Sequence, residues 1–185
     1  MSGNKAKQRI STKDMVLIPL FTALIAVGAF IKIPMPTCPL TLQWFFVMCA
    51  GILLGSRKGA LSAFIYVLLG LIGIPIFTGG GGFWYVFQPT FGYFIGFILC
   101  AFLIGLMVEK KVNVFASCAV ATVILYLIGS AYGYVILNFY SEGDGMPLGK
   151  LVMSFCVLPL PGDIIKIILA GLVGGRVRKI LKIAK

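Results

Sequence analysis

GLIGIPIFTGGGGFWYVFQPTFGYFIG, Gly70 to Gly96, is the stretch on which the reading of this chain turns. Four consecutive glycines, Gly79 to Gly82, let the backbone bend freely and let another group approach it closely. Phe83, Trp84, Tyr85, Phe87, Gln88, Pro89 and Thr90 follow, a dense set of flat apolar surfaces with a few hydrogen-bonding tips. The stretch is too apolar for a solvated linker and too broken for a helix. Long apolar runs flank it on both sides, so it reads as a folded loop that closes over something.

Those flanking runs recur along the whole chain. Of 185 residues, 60% are hydrophobic and 11% charged, and the mean hydropathy is +1.07. Soluble domains carry roughly 25% charged residues. A membrane span needs roughly 20 apolar residues, so about six spans fit and no second soluble domain does. The expected fold is therefore an all-α polytopic membrane protein of six transmembrane helices. The spans fall at about 14–33, 42–55, 59–77, 89–108, 112–139 and 161–175. A basic arm at 1–13 precedes them and a basic tail at 176–185 follows. The first apolar run reads as a retained span, capped by Ser11 or Thr12 with Asp14 in its first turn.

The net charge is +11, but its distribution argues against nucleic acid. Thirteen of the sixteen Lys and Arg residues, all but Lys32, Lys150 and Lys166, fall in the arm, the tail and the turns on one face. That is the positive-inside pattern of a chain with both termini cytoplasmic, loosely attracted to anionic lipid of the bilayer. The only acidic loop, with Glu142 and Asp144, falls on the opposite face. Pro34, Pro36 and Pro39 make the connector after the first span extended. Pro159, Pro161 and Gly162 break the last run, so a new helix is expected to start near Pro161. The five scattered cysteines form no C-x-x-C and read as buried small hydrophobes. No histidine is present, which removes the commonest metal ligand and general base.

Asp163 and Lys166 carry the strongest chemical signal. They lie three apart in an apolar helix and share a face. A lone charge at a helix centre costs roughly 2.5–3.5 kcal/mol on insertion scales, so a charged pair is expected to face the bundle interior. It either ties helices together or binds a ligand. As a site, Lys166 can hold an anionic group and Asp163 can accept from ligand N–H groups. Gln43 and Gln88 offer both donors and acceptors, and Trp84, Tyr85 and Tyr93 offer flat apolar contact, unless those aromatics girdle the bilayer interface instead. An amphipathic small molecule with one anionic end and one N–H-bearing end suits this set. On the first span, Thr22, Ala26 and Ala29 put small residues on one face, for internal packing or for a partner helix.

The segments IPMPTCPLTLQW, LGSRKGALSAFIYVLLGLIGIPIFTGGGG, QPTFGYFIGF and LPGDIIK resemble the BioY family, the biotin-specific substrate-binding (S) components of energy-coupling factor (ECF) transporters. The resemblance covers essentially the whole chain. It implies the six-helix S-component fold, a biotin pocket facing outward, and the loop after the third span as its lid. The implied substrate-binding residues are Asp163, Lys166, Gln43, Gly79, Gly80, Trp84, Tyr85, Gln88, Thr90 and Tyr93. The family pattern reads closer to G-P-T-G-G-Y where this chain has Gln88-Pro89-Thr90-Phe91-Gly92-Tyr93, so Gln88 and Phe91 reshape one wall. The resemblance makes Thr22, Ala26 and Ala29 the docking face for a transmembrane coupling subunit. Which end of biotin meets which residue stays open.

No G-x-x-x-x-G-K-[ST] motif occurs, so ATP is expected to be used only by two partner ATPases. The chain needs no cofactor of its own on this reading. Two alternatives compete. An S component for another vitamin such as thiamine meets a lysine that repels its cation. A membrane-embedded enzyme would want paired carboxylates or a metal cluster, and the intramembrane carboxylate stands alone.

Overall fold

A computed structural model describes residues 11–35, 38–140 and 145–180. The basic arm at Lys5, Lys7 and Arg9, together with Pro36, Glu142, Asp144, Lys182 and Lys185, lies outside the described residues.

Helix α1 (Thr12–Phe30) starts as its sequence directs. Ser11 is the N-cap, and its N–H donates to Asp14 Oδ2 at 2.9 Å. Asp14 also takes Lys58 Nζ at 2.7 Å, which pins the start of α1 to the start of α3 (Ser56–Leu71). After α1 the proline-rich connector forms a short antiparallel hairpin, β1 (Lys32–Ile33) with β2 (Leu40–Thr41), in the register Lys32 to Thr41 and Ile33 to Leu40.

Helix α2 (Gln43–Leu54) has 12 residues and is buried almost all round. Its rise of about 1.5 Å per residue makes it shorter than a bilayer core. It packs against α1, α3, α4 (Phe91–Glu109) and α7 (Leu160–Ile180), and Val47, Met48 and Ala50 have no exposed surface. A helix apolar on every side belongs in the centre of a bundle.

Helix α3 (Ser56–Leu71) ends six residues before the expected limit at Phe77. Gly73 turns the chain with φ +114°, and Pro75 has no N–H for a continuing helix. Phe77 then folds back into the core, with Tyr66 at 5.5 Å and Phe94 at 4.5 Å between ring centroids. Burying that ring outweighs another turn of helix.

A short 3₁₀ turn over Phe83–Phe87 leads into α4 (Phe91–Glu109). Helix α5 (Val114–Val135) is capped by Asn113, whose Oδ1 accepts from the Phe115 N–H at 2.8 Å. It continues as a π-helical turn to Tyr140. Helix α6 (Leu148–Val152), a second π turn (Met153–Val157) and α7 (Leu160–Ile180) follow nearly end to end. The break expected at the prolines is thus confined to Leu158–Pro159, and α7 runs past Gly175. The Asp163 N–H donates to Pro159 O at 3.0 Å, so Asp163 sits in the first helical turn rather than at the cap.

Among the described residues, four runs are long and apolar enough to cross a membrane: Thr12–Phe30, Phe91–Glu109, Val114–Tyr140 and Leu148–Arg178. Large apolar side chains such as Val27, Leu127 and Ile165 are more than half exposed, as expected where lipid is the solvent.

The small-residue face of α1 turns inward. Thr22 Oγ1 donates to Ser62 O on α3 at 3.0 Å, and Ala29 has no exposed surface. Ala26 is half-buried against the core. Thr22 and Ala29 thus pack against α1's own neighbours, and Ala26 keeps part of its surface exposed.

Candidate functional site

The end of the bundle that carries the hairpin and the glycine–aromatic loop holds a cavity of about 320 Å³. Ligand sites typically run about 300–1,000 Å³. The fold brings five separate parts of the chain to it: the connector with its hairpin, α2, the loop leading into α4, α5, and the start of α7.

Helix α7 supplies a charged floor. Lys166 Nζ lies 2.6 Å from Asp163 Oδ1, and the residues are only 7% and 5% exposed. The second oxygen, Asp163 Oδ2, accepts from Tyr126 Oη on α5 at 2.6 Å. A buried ion pair needs such extra hydrogen bonds to offset desolvation.

Helix α2 supplies Gln43 and Trp44. Gln43 is 2% exposed and its amide donates to the Tyr66 hydroxyl. Its Oε1 accepts from Thr41 Oγ1 at 3.3 Å, and Tyr66 Oη donates to Ile76 O at 3.2 Å. The hairpin, α3 and the loop are thus tied together through one glutamine. Trp44 stacks on Phe97 at 5.9 Å, and its Nε1 donates to Thr122 Oγ1 at 3.1 Å.

The loop between α3 and α4 forms the cover. Gly80 and Gly82 adopt φ +121° and +110°, which side chains resist, so the glycine run is what permits its path. Tyr85 lies on Phe77 at 4.7 Å and on Phe94 at 5.6 Å. Tyr132 Oη donates to Val86 O at 2.6 Å, and Lys32 Nζ donates to Thr78 O at 2.8 Å. Those two bonds fasten the cover to α5 and to β1.

Of the residues expected at the site, Gln43, Gly79, Tyr85, Gln88, Thr90, Tyr93, Asp163 and Lys166 line this one cavity. Tyr93 presents only its ring, because its hydroxyl donates to Phe155 O at 2.6 Å. Gly80 and Trp84 do not line it. Trp84 is 82% exposed and lies against Phe87, outside the cover, where an interfacial aromatic would sit. Of the two departures from the family pattern, Gln88 lines the cavity. Phe91 instead packs beneath, against Phe94 and Tyr132.

Sequence reasoning missed Tyr126, Trp44 and Lys32, all of which line the cavity. Trp44 sits beside Gln43 in the same LQW motif and could have been found there. Tyr126 had a weaker signal, a hydroxyl inside an apolar span. Cys38 also lines the cavity, from the connector after α1, and burial pushes its thiol up to about 11. At neutral pH it is a protonated, weakly reactive side chain.

The fold and this cavity define a helical membrane protein with a partly open, largely apolar cavity and a buried ion pair on its floor. Residues 4–183 match the family model described as the BioY family, and the chain belongs to that family. It is 41% identical over 180 residues to a protein of Lysinibacillus sphaericus named "Probable biotin transporter BioY", covering 95% of this chain and 91% of that one. It is 38% identical over 172 residues to the biotin transporter BioY of Thermotoga maritima, covering 91% and 97%. Its fold matches a crystal structure of the S-component for biotin from an ECF-type ABC transporter, with a TM-score of 0.74 and 31% identity over 97% of this chain and 95% of that one.

Proposed function

We propose that this chain is the biotin-binding membrane subunit of an ECF-type uptake transporter. It captures biotin in the cavity beneath the glycine–aromatic loop and performs no chemistry on it. One observation carries the placement of the site: the buried Asp163–Lys166 pair and its Tyr126 partner open into the same chamber that the loop covers. The polar floor suits a ligand with both donors and acceptors, and the rings of Trp44, Tyr85, Tyr93 and Phe97 suit a flat bicycle.

Six membrane crossings with both termini on the cytoplasmic side of a bacterial plasma membrane complete the reading. The short α2 and α3 count as crossings because α2 is enclosed by the other helices and α3 packs on α1, α2 and α4 while turning Leu61, Phe64 and Leu68 outward, as toward lipid. The lysines and arginines gathered at one end support the orientation. Without a phosphate-binding loop of its own, the subunit relies on a coupling protein and two ATPases to drive uptake.

The test is equilibrium binding to the purified chain, with thiamine as the comparison ligand. Biotin is expected to bind and to raise the melting temperature, and thiamine is expected to do neither. Thiamine binding without biotin binding would overturn the reading. In cells, deleting the ATPases is expected to abolish accumulation against a gradient.

A further inference from the structure

The cover is apolar on both faces. Tyr85 and Val86 pack inward on the core, Tyr85 against Phe77 and Phe94. Phe83, Trp84 and Phe87, from the same short turn, are exposed. Trp84 and Phe87 touch each other, and among the described residues Phe83 belongs neither to the core nor to a ring pair. Neither Phe83 nor Trp84 lines the cavity. Exposed rings clustered in this way mark a surface that meets a second apolar phase.

Charge says which phase. No Asp, Glu, Lys or Arg lies between Lys58 and Glu109, so α3, the cover and nearly all of α4 form one uncharged hairpin. A protein partner would find no charge there to fix its register, whereas lipid needs none. Length points the same way. Helix α3 has 16 residues and spans about 24 Å at about 1.5 Å per residue, against a hydrocarbon core of about 30 Å. Tilt only widens that shortfall. Arg57 and Lys58 mark the basic end of α3, so the missing thickness lies beyond Leu71, where the cover begins. Leu61, Phe64, Leu68 and Ile72 form an exposed stripe on one face of α3, and Ile74 carries it past the helix end. The Phe83–Phe87 turn packs on α3 and α4 at that same end.

We infer that the outer face of the cover is a lipid-docking surface, with Phe83, Trp84 and Phe87 seated in the leaflet opposite the basic end of α3, and that this leaflet holds the cover shut. Phe83 and Phe87 extend the lipid-facing stripe of α3. Trp84 sits at the ester level, which suits an apolar body with one N–H donor. Opening the cover draws these rings out of the leaflet, so the bilayer itself opposes release of the ligand beneath.

The experiment uses the full chain in nanodiscs of phosphatidylcholine, either plain or brominated near the ester end or the methyl end of its acyl chains. The chain has two tryptophans and Trp44 is buried, so the difference in emission between wild type and W84F reports Trp84. That emission is expected to fall by about half with bromine near the ester end, to fall less with bromine near the methyl end, and to resist iodide in the water. Quenching by iodide and not by bromine puts Trp84 in water and overturns the docking. Quenching by neither puts it under protein, a second copy included, and overturns it as well. Biotin release is then followed by stopped flow in F83S and F83L, a readout that rests on the biotin reading above. F83S is expected to release biotin about fivefold faster than wild type, and F83L within about twofold of it, since leucine keeps most of the apolar area. F83S at the wild-type rate, or F83L as fast as F83S, overturns the holding role. If wild type binds no biotin, the biotin reading falls and the bromine quenching still decides the docking.

Discussion

The Tyr126 hydroxyl and the Asp163 carboxylate lie 2.6 Å apart, joining α5 to α7 at the cavity floor. With Lys166 on the other oxygen, the carboxylate is held in one orientation from two sides. Tyr126→Phe keeps the ring and removes the donor. A hydrogen bond to a charged group contributes about 1.5–3 kcal/mol, so biotin affinity is expected to fall by at least about tenfold. The melting temperature is expected to move by only a few degrees, because the cavity lets water reach the freed oxygen. Unchanged affinity in an isothermal titration would remove Tyr126 from the site.

Asp163→Asn removes one charge and leaves Lys166 without its counter-ion. Breaking a fully buried pair costs about 3–5 kcal/mol, but this pair borders a cavity that admits water, and the cost to folding is expected to be well below that. Ligand binding is expected to suffer far more, by about two orders of magnitude, since an asparagine can no longer accept charge-assisted bonds from a ligand on both oxygens. Lys166→Ala is expected to behave alike. Purified variants with wild-type affinity would refute the floor as the site.

Gly82→Ala tests the cover. Gly82 has φ +110°, and an added Cβ meets nothing within 4 Å, so the penalty is backbone strain alone. Such strain costs about 1–3 kcal/mol. Gly149→Ala is the control: an added Cβ there meets nothing within 4 Å, its φ is not positive, and it does not line the cavity. Biotin dissociation is expected to quicken several-fold in the first variant and stay near wild type in the second. Stopped-flow measurement of release distinguishes them, and equal rates would mean the loop does not retain the ligand.

Cys38 offers a probe of occupancy without mutation. Its thiol is pushed up to about 11 by burial, so the thiolate fraction is small at neutral pH and rises as the pH approaches that value. Maleimide labelling is expected to be slow at pH 7, to accelerate toward pH 10, and to slow again when biotin fills the cavity. Mass spectrometry of the Cys38 peptide reads each step. Fast labelling at pH 7, unaffected by biotin, would place Cys38 outside the chamber.

Much of this arrangement was legible in the sequence because lipid makes polar residues conspicuous. Asp163 and Lys166 stood out against an apolar helix, and their spacing alone put them on one face. The Gly79–Gly82 run stood out as well, and Gly80 and Gly82 hold φ values that only glycine adopts cheaply. What was not legible depended on tertiary packing. Phe77 looked like the end of a span, yet its ring is buried against Phe94, and nothing local announces that. Thr22 and Ala29 offered a close-packing face, but spacing cannot say whether the approaching helix is α3 or another subunit. Tyr126 lies 37 residues from Asp163, and only the crossing of α5 and α7 joins them.

Glu109 separates the ligand site from the scaffold that holds it. Its carboxylate, at the end of α4, accepts from the Ser56 N–H at 2.7 Å and from Ser56 Oγ at 3.1 Å. It therefore caps α3 from outside that helix, at the opposite end from the cover. Negative charge at a helix start also gains from the aligned peptide dipoles. Glu109→Gln keeps the shape and loses the charge, and Glu109→Ala loses both. Stability is expected to fall by about 0.5 and about 1–2 kcal/mol respectively, the range of a lost cap. Because the loss falls at the far end of α3, biotin affinity is expected to hold within about twofold in both variants, measured below their melting temperatures. A large drop in affinity with little change in melting would show that the two ends of the bundle are coupled, and that α3 transmits rather than merely supports.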